Sequence, residues 1–356
     1  MVSSSTATEI ERILAGDTRA VARAISKVED HTPDAAALMK AIFPQTGRGM
    51  VVGITGSPGA GKSSLVDRLA GLYRQRGDRV GIVAVDPSSP FTGGAILGDR
   101  IRMQTLGLDP GVFIRSMATR GSLGGLAAAT REVADVLDAF GFDRILIETV
   151  GVGQSELDVA RTADSTLLVL VPESGDSIQT LKAGVMEVAD VFVVNKADRP
   201  GADRLRNDVE LMLGLRQGVS FANVPAHHGV DLKRVNPARV AREAAAAAEP
   251  ATWTPPVLSA VAVKKEGIDA IASALDRHFG YLERTDTLRT RRLERLRERI
   301  MDVVEQKVRT RLWEDSKTMS WLEEQLPSVQ RGETTPFSVA NELLAMSAGV
   351  VRGGAK

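Results

Sequence analysis

The sequence predicts an α/β fold, with a mostly parallel sheet and helices packed on both of its faces. From residue 50 onward, short apolar runs rich in β-branched residues alternate with stretches of helical periodicity. The apolar runs are continuous rather than interrupted at every second position, which indicates strands that are buried on both faces. The predicted strands cover residues 50–55, 80–85, 112–114, 145–150, 166–171, 191–194 and 257–261.

Helices are predicted between these strands and ahead of the first one. In the stretches between the strands, apolar residues recur every three or four positions, as Leu65, Leu69 and Leu72 do after the first strand. The same periodicity precedes the sheet, with a break at Gly16 and Asp17. The helical stretches cover residues 9–44, 64–76, 124–140 and 178–189.

The C-terminal part of the chain differs in composition. Residues 285–314 are dense in Arg and Glu and carry a narrow apolar stripe, which predicts a long exposed helix that packs against a partner helix. Shorter helices are predicted at residues 318–327 and 336–346. We therefore predict an N-terminal helical extension, an α/β domain and a helical C-terminal arm that forms a homodimer. Their predicted boundaries are 1–48, 49–284 and 285–356.

A glycine-rich octapeptide joins the first strand to the first connecting helix. It fits the pattern G-x-x-x-x-G-K-[ST], in which backbone N–H groups and a helix N-terminus surround phosphate oxygens. In this pattern Lys62 reaches the β- and γ-phosphates, and the Ser63 hydroxyl binds Mg²⁺. The sequence thus predicts a P-loop that binds a nucleoside triphosphate. The predicted phosphate-binding residues are Gly56, Ser57, Pro58, Gly59, Ala60, Gly61, Lys62, Ser63 and the adjoining Ser64.

A second motif identifies the base as guanine. Asn195-Lys196-Ala197-Asp198 directly follows the strand at 191–194. Guanine presents two adjacent donors, N1–H and the exocyclic amino group, and one carboxylate accepts both, whereas adenine has no matching pair. We expect Asp198 to accept these bonds, Asn195 to bind the purine edge and tie loops together, and the Lys196 stem to cover the ring. Ser259 and Ala260, at the end of the last strand, are expected to line the base.

Three carboxylates are expected near the phosphates. Asp86 follows the strand at 80–85 and Asp99 lies in a Gly-Asp-Arg segment; with Ser63 and Glu148 they would supply hard oxygen ligands to Mg²⁺. Many GTPases carry Asp-x-x-Gly near the γ-phosphate, and this chain has Glu148-Thr149-Val150-Gly151 in its place. Glu148 and Gly151 are therefore predicted to be catalytic, together with Lys62 of the P-loop. No glutamine directly follows the glycine, so we expect slow intrinsic hydrolysis.

Composition excludes several classes of protein. Forty-five basic residues balance forty-five acidic ones, which argues against a nucleic-acid-binding surface. The absence of cysteine excludes disulfides, thiolate metal sites and cysteine nucleophiles. Apolar runs are strand-sized, and the N-terminus lacks the pattern of a signal peptide, so no membrane partner and a cytoplasmic location are expected.

Together these motifs resemble the MeaB, ArgK and MMAA type of GTPases, which belong to the signal-recognition-like class of P-loop proteins. The resemblance covers nearly the whole chain. It lies in the octapeptide, the Asp-Pro-Ser-Ser segment 86–89, Gly98-Asp99-Arg100, the segment from Glu148 to Glu156, and residues 195–198, with further likeness at 15–20 and 335–337.

The resemblance implies a G-protein chaperone of an adenosylcobalamin-dependent acyl-CoA mutase, such as methylmalonyl-CoA mutase. Such proteins gate cofactor loading, protect the mutase from inactivation and form homodimers through their C-terminal arms. It also implies that Asp176, Gln179 and Lys182 belong to a switch segment that couples the nucleotide to the partner. GTP or GDP and Mg²⁺ are the expected ligands, and directly bound cobalamin is not expected.

Other functions fit parts of the sequence. A nickel-type metallochaperone GTPase would share the nucleotide motifs, but it would be expected to carry Cys or clustered His, whereas this chain has no Cys and four scattered His. An ArgK-like transport-associated kinase or ATPase would use ATP, against which Asp198 argues. A nucleotide-sensing scaffold without turnover is disfavoured by Lys62, Ser63 and Asp86.

Overall fold

A seven-stranded sheet lies within the described part of the chain. The computed structural model describes residues 8, 10–13, 16–30, 32–86, 106–118, 125–149, 155–172, 185–216 and 252–347. The strands are β1 (Met50–Gly56), β2 (Val80–Asp86), β3 (Val112–Ala118), β4 (Arg144–Thr149), β5 (Ser165–Leu170), β6 (Val191–Val194) and β7 (Val257–Ser259). All neighbouring strands are parallel, in the order β3-β2-β4-β1-β5-β6-β7, which confirms the predicted α/β class.

Burial on both faces explains the continuous apolar strands. In β5, Leu167 and Val169 belong to the core on one face, and Leu168 and Leu170 belong to the core on the other. All four side chains are buried. Since side chains of a strand alternate between faces, only a sheet covered on both sides requires such a run.

Helices cover both faces of the sheet. In chain order they are α1 (Thr18–Glu29), α2 (Ala35–Ile42), α3 (Lys62–Gln75), α4 (Gly125–Ala139), α5 (Ser155–Thr162), α6 (Val185–Val188), α7 (Ala202–Arg216), α8 (Ile268–Arg284), α9 (Thr287–Glu314), α10 (Ser316–Gln330) and α11 (Pro336–Met346). Apolar residues of α3 and α8 share one core with the sheet, and those of α1, α2 and α4 share the core on the opposite face. Every strand therefore ends between two helical layers.

The N-terminal helices are integrated into the α/β unit. Asp17 caps α1, because its Oδ1 accepts hydrogen bonds from the backbone N–H groups of Arg19 (2.8 Å) and Ala20 (3.3 Å). Glu29, the last residue of α1, forms an ion pair with Arg115 of β3. The N-terminal segment thus packs on the sheet through apolar contacts and an ion pair.

The chain divides into two compact units, Met1–Arg291 and Arg292–Lys356. The second unit contains most of α9 together with α10 and α11. Asp315 caps α10 by accepting a hydrogen bond from the Thr318 backbone N–H at 2.9 Å, and Thr335 caps α11 in the same way through Ser338. Leu312, Val339 and Leu343 are its buried apolar residues among those described.

A Ser–His–Asp arrangement lies at the amino ends of β5 and β6, whereas the predicted site residues follow the carboxyl ends. His278 Nδ1 is 2.7 Å from Ser165 Oγ, and its Nε2 is 3.2 Å from Asp190 Oδ1. Ser165 and His278 are fully buried, so no substrate can reach this serine. The arrangement is a polar contact that holds α8 against the sheet.

No helix in the described ranges is long and apolar enough to cross a bilayer.

Candidate nucleotide-binding site

The predicted P-loop occupies the turn between β1 and α3, in the middle of the sheet. Gly56 ends β1 with φ of 140°, and a Cβ atom at this position would overlap the carbonyl of Val169 in β5. Gly59 and Gly61 also have positive φ angles, which residues with a side chain rarely adopt. The loop conformation therefore depends on glycine at both positions that the motif specifies, 56 and 61, and also at Gly59, which the motif leaves open.

Lys62 begins α3, and its side chain is buried inside the loop. Its Nζ donates hydrogen bonds to the carbonyl oxygens of Gly56 (2.7 Å) and Ser57 (3.0 Å). A buried ammonium group requires such acceptors, because an uncompensated charge in the interior is unfavourable. The same donors can serve phosphate oxygens, which are stronger acceptors because they carry charge.

Ser63 and Glu148 meet beside the loop. Ser63 Oγ donates a hydrogen bond of 2.6 Å to Glu148 Oε1, and Glu148 pairs in register with Ile54 of β1. The Glu148 side chain is buried. A hydroxyl and a carboxylate are the hard oxygen donors that Mg²⁺ takes alongside phosphates, so this pair fits the predicted metal. Asp86 is the last residue of β2, the strand next to β4, and its backbone therefore ends at the same edge of the sheet.

Asn195 links the P-loop to the loop that follows β7. Its Nδ2 donates to the Ala60 carbonyl (2.8 Å), and its Oδ1 accepts from the Ala262 N–H (3.2 Å). Asn195 is 2% exposed, so both amide ends are held in the interior. The backbone adds two bonds, from Ala260 N–H to Val194 O (2.9 Å) and from Ala197 N–H to Ala260 O (3.0 Å). The three segments predicted to bind nucleotide thus form one connected unit.

Asp198 is exposed at the end of this unit and contacts a residue that the sequence analysis did not identify. Lys264 Nζ lies 3.1 Å from Asp198 Oδ2. The bond from Lys264 holds the pKa of the Asp198 carboxyl below its usual range, and Asp198 raises the pKa of Lys264. Lys264 is 66 residues away along the chain, and no local pattern distinguishes it from its neighbours.

The loop that carries Lys264 has a defined turn geometry. Val261 and Glu266 form an antiparallel bridge, and residues 262–264 form a single 3₁₀ turn. Lys265 and Gly267 have positive φ angles, and a Cβ at Gly267 would overlap the Ser259 carbonyl. Arg68 of α3 donates to the Ala262 carbonyl at 3.3 Å. Bonds at its base and a turn at its tip therefore hold Lys264 beside Asp198.

The structure brings the described site residues to one edge of the sheet. The P-loop, Glu148, the segment 195–198 and Ser259–Ala260 all lie at or directly after the carboxyl ends of parallel strands, where ligands bind in open α/β sheets. The side chain of Asp86 and all of Asp99, Gly151, Asp176, Gln179 and Lys182 lie outside the described residues. Their predicted roles therefore remain predictions.

The family model described as "Methylmalonyl Co-A mutase-associated GTPase MeaB" matches residues 18–317 of this chain. The chain belongs to the MeaB family of GTPases. The match includes the P-loop, the Ser63–Glu148 pair, residues 195–198 and the loop that carries Lys264. The predicted family resemblance is confirmed.

Similar proteins match most of the chain. A putative GTPase of Pyrococcus abyssi is 44% identical over 335 residues, which are 94% of each protein. A Caenorhabditis briggsae protein described as "Methylmalonic aciduria type A homolog, mitochondrial" is 32% identical over 302 residues, 81% of this chain and 67% of its own. A solved structure described as an LAO/AO transport system kinase has a TM-score of 0.66 and 26% identity, and the match covers 97% of this chain and 99% of that one. The chain therefore shares its fold with this solved structure along nearly its whole length.

Proposed function

We propose that this chain binds GTP and hydrolyses it to GDP and phosphate, and that the nucleotide gates the loading and protection of an adenosylcobalamin-dependent acyl-CoA mutase. The observation that carries the proposal is the Asn195 bridge. It joins a P-loop to a guanine-type loop in a chain of the MeaB family. A P-loop alone would leave the base undetermined; the connected loop supplies Asp198 to select it.

At the phosphate end, the P-loop residues 56–63 and Ser64 surround the triphosphate, and all of them except Pro58 offer a backbone N–H group. Lys62 exchanges its bonds with the carbonyls of Gly56 and Ser57 for bonds with the β- and γ-phosphates. The positive end of α3 adds to this attraction. The buried position of Lys62 favours the exchange, because a desolvated ammonium gains most from a charged acceptor.

Ser63 and Glu148 would hold Mg²⁺, together with Asp86 and Asp99. The bound ion would neutralise charge on the phosphates during transfer. Glu148 would also orient water for attack on the γ-phosphorus, and the Gly151 backbone N–H would contact the γ-phosphate. The longer carboxylate in place of aspartate and the absence of a glutamine directly after the glycine support a slow intrinsic rate that a partner stimulates.

At the base, Asp198 accepts the N1–H and amino donors of guanine, while Lys196 covers the ring and Ser259–Ala260 line it. Asn195 performs its bridging role and contacts the purine edge. A base that lacks these donors leaves a polar group unpaired, which costs about 1–3 kcal/mol for each group. This cost is the physical basis of the proposed preference for GTP over ATP.

The proposed partner is a mutase of the methylmalonyl-CoA type. The description of the family model and the description of the Caenorhabditis relative support this assignment. Asp176, Gln179 and Lys182 would form the switch segment that transmits the state of the nucleotide, and the chain itself would bind no cobalamin.

We also propose a homodimer through the arm at residues 285–356, since Ile300, Met301 and Val304 of α9 are exposed apolar side chains.

GTP turnover measured with and without adenosylcobalamin-dependent mutases tests this proposal. We expect slow hydrolysis alone and a several-fold stimulation by one acyl-CoA mutase, with Lys62→Ala as the inactive control. A cobalamin-independent acyl-CoA enzyme is the matched partner control. Equal rates with every added protein would contradict the gating role, and absence of GTP turnover under all conditions would contradict the GTPase assignment.

The description of the solved relative as a transport system kinase makes ATP the alternative nucleotide to test. A kinase would transfer phosphate from ATP to a protein, whereas a GTPase releases phosphate from GTP into solution. The turnover assay with radiolabelled ATP and GTP, read as labelled protein and as free phosphate, would distinguish a kinase from a GTPase. Release of inorganic phosphate from GTP, with no labelled protein, is the expected result.

A further inference from the structure

We propose that Lys264 is a positioning residue of the guanine site, which fixes the orientation of the Asp198 carboxylate for the two N–H donors of the base. This inference rests on the proposed guanine specificity and adds a residue to it. It is drawn from the contact between Lys264 Nζ and Asp198 Oδ2 at 3.1 Å.

The first step concerns what the ion pair contributes to the folded chain. The side chains of Lys264 and Asp198 are 53% and 39% exposed. An ion pair in such a solvated position contributes little to stability, because both charges stay hydrated and two long side chains lose freedom. Stability therefore does not account for a loop that presents a lysine at this place.

The second step concerns how firmly Lys264 is held. The loop is fixed at its base by the bonds from Ala262 N–H to Asn195 and from Arg68 to the Ala262 carbonyl. The bridge between Val261 and Glu266 closes it. Asn195 and Asp198 belong to the same turn after β6, so one connected set of bonds places both the lysine and the carboxylate that it contacts.

The third step concerns the carboxylate. An ionised carboxylate offers about four acceptor positions on its two oxygens. Lys264 occupies one of these on Oδ2 and leaves the others for a ligand. Without this bond the exposed carboxylate would rotate about its side-chain torsions, and binding of a base with two fixed donors would have to restrict that rotation. The benefit of Lys264 should therefore be largest for a base with both donors.

This reasoning predicts a change in base discrimination. Guanine has the N1–H and the 2-amino group, whereas hypoxanthine, the base of inosine nucleotides, has N1–H alone. If Lys264 orients both oxygens, its loss weakens GDP binding more than IDP binding. A purely structural role would weaken both equally, because the two nucleotides share their phosphates and sugar.

The experiment measures GDP and IDP affinities of the full chain by calorimetry. Lys264→Met removes the ammonium and keeps the stem, and Lys264→Arg restores a cation. Lys265→Met is the matched control, since it removes the same charge from the next residue of the same loop, which makes no bond to Asp198 in the structure. Asp198→Asn, alone and combined with Lys264→Met, completes a double-mutant cycle.

We expect Lys264→Met to weaken GDP binding about fivefold and IDP binding by a smaller factor, so that the GDP-to-IDP preference falls. Lys264→Arg should recover most of both losses, Lys265→Met should change neither, and Lys264→Met should have no effect on GDP affinity in the Asp198→Asn background. Unchanged or tighter GDP binding in Lys264→Met would overturn the inference. Failure of the unmodified chain to prefer GDP over ADP would instead overturn the proposed guanine specificity.

Discussion

Asn195 occupies the space into which a side chain at Gly61 would extend, since a Cβ built on Gly61 would overlap Asn195 Nδ2. The amide cannot move away without losing its bonds to Ala60 and Ala262. The glycine of the P-loop and the asparagine of the guanine motif are therefore coupled in space. The Asn195 amide can keep its bonds only if residue 61 has no side chain, although the two residues are more than a hundred positions apart along the chain.

This coupling predicts that Gly61→Ala will be more damaging than Gly59→Ala. Both glycines have positive φ angles, so each alanine costs about 1–2 kcal/mol from its backbone conformation. Nothing lies within 4 Å of a Cβ at Gly59, whereas Gly61→Ala also disrupts the Asn195 bridge, for a total of about 3 kcal/mol. Urea titration followed by circular dichroism measures the difference. Equal destabilisation would show that Asn195 is free to move.

Lys62→Ala is expected to weaken GTP binding at least about a hundredfold. The change removes two bonds to charged phosphate oxygens, each of which contributes about 1.5–3 kcal/mol when the acceptor is charged. Titration calorimetry with GTP measures the loss, and Lys40→Ala, at an exposed lysine of α2, is the matched control. Unchanged GTP affinity in Lys62→Ala would exclude the P-loop assignment.

Ser63→Ala is expected to raise the Mg²⁺ concentration that gives half-maximal GTP hydrolysis about tenfold. The alanine removes one oxygen ligand and the 2.6 Å hydrogen bond to Glu148, and charge-assisted bonds of this type contribute about 1.5–3 kcal/mol. Ser63→Thr keeps the hydroxyl and should restore the Mg²⁺ dependence. If alanine and threonine gave the same Mg²⁺ curve, the hydroxyl would have no part in binding the metal.

Much of the α/β unit could be predicted because its residues follow local rules. The strand β6 has the predicted bounds, β1 ends one residue later than predicted, and β4 begins one residue earlier. The predicted end of β4, Val150, lies outside the described residues. The strand β3 extends to Ala118, four residues beyond the predicted end, and pairs with β2 over this extension. Arg115 lies within it and forms an ion pair with Glu29 of α1. An arginine within an apolar run argues against a strand unless its partner is known, and that partner is distant in the sequence.

Other features depended on contacts that no local pattern shows. The helix α7 was not predicted, although Leu205, Val209 and Leu213 are buried at four-residue spacing and would have indicated it. The motif residues were recognised from their types and spacing. The contact of Lys264 with Asp198, and the two atoms that Asn195 binds, required the fold, because they join loops that follow different strands.

Asp198→Asn is expected to move base preference from guanine to xanthine. Xanthine has a carbonyl where guanine has its 2-amino group, so an amide donor replaces the carboxylate acceptor. We expect GDP affinity to fall and XDP affinity to rise, each by about tenfold or more, since an unpaired polar group costs about 1–3 kcal/mol. Asp203→Asn, at an exposed aspartate in the first turn of α7, is the matched control. A variant that still prefers GDP would contradict the proposed pairing.

The exposed apolar side chains of α9 predict how the proposed homodimer can be disrupted without truncating the chain. Ile300 is 64% and Val304 53% exposed, and they lie four residues apart on one face of the helix. Burying both side chains in a dimer would stabilise it by about 1.5–3 kcal/mol per side chain, because apolar surface is removed from water. A glutamate at each position would destabilise the dimer, because a charged group would be buried there instead.

Light scattering of an Ile300→Glu, Val304→Glu double variant should therefore give the mass of a monomer, where the unmodified chain gives twice that mass. Gln306→Glu, at an exposed polar position of the same helix, adds the same type of charge and should leave the dimer intact. Because these changes lie beyond Arg291, the last residue of the α/β unit, GDP affinity should stay unchanged in all three chains. A dimeric double variant with normal GDP affinity would place the contact between subunits on another surface than this face of α9.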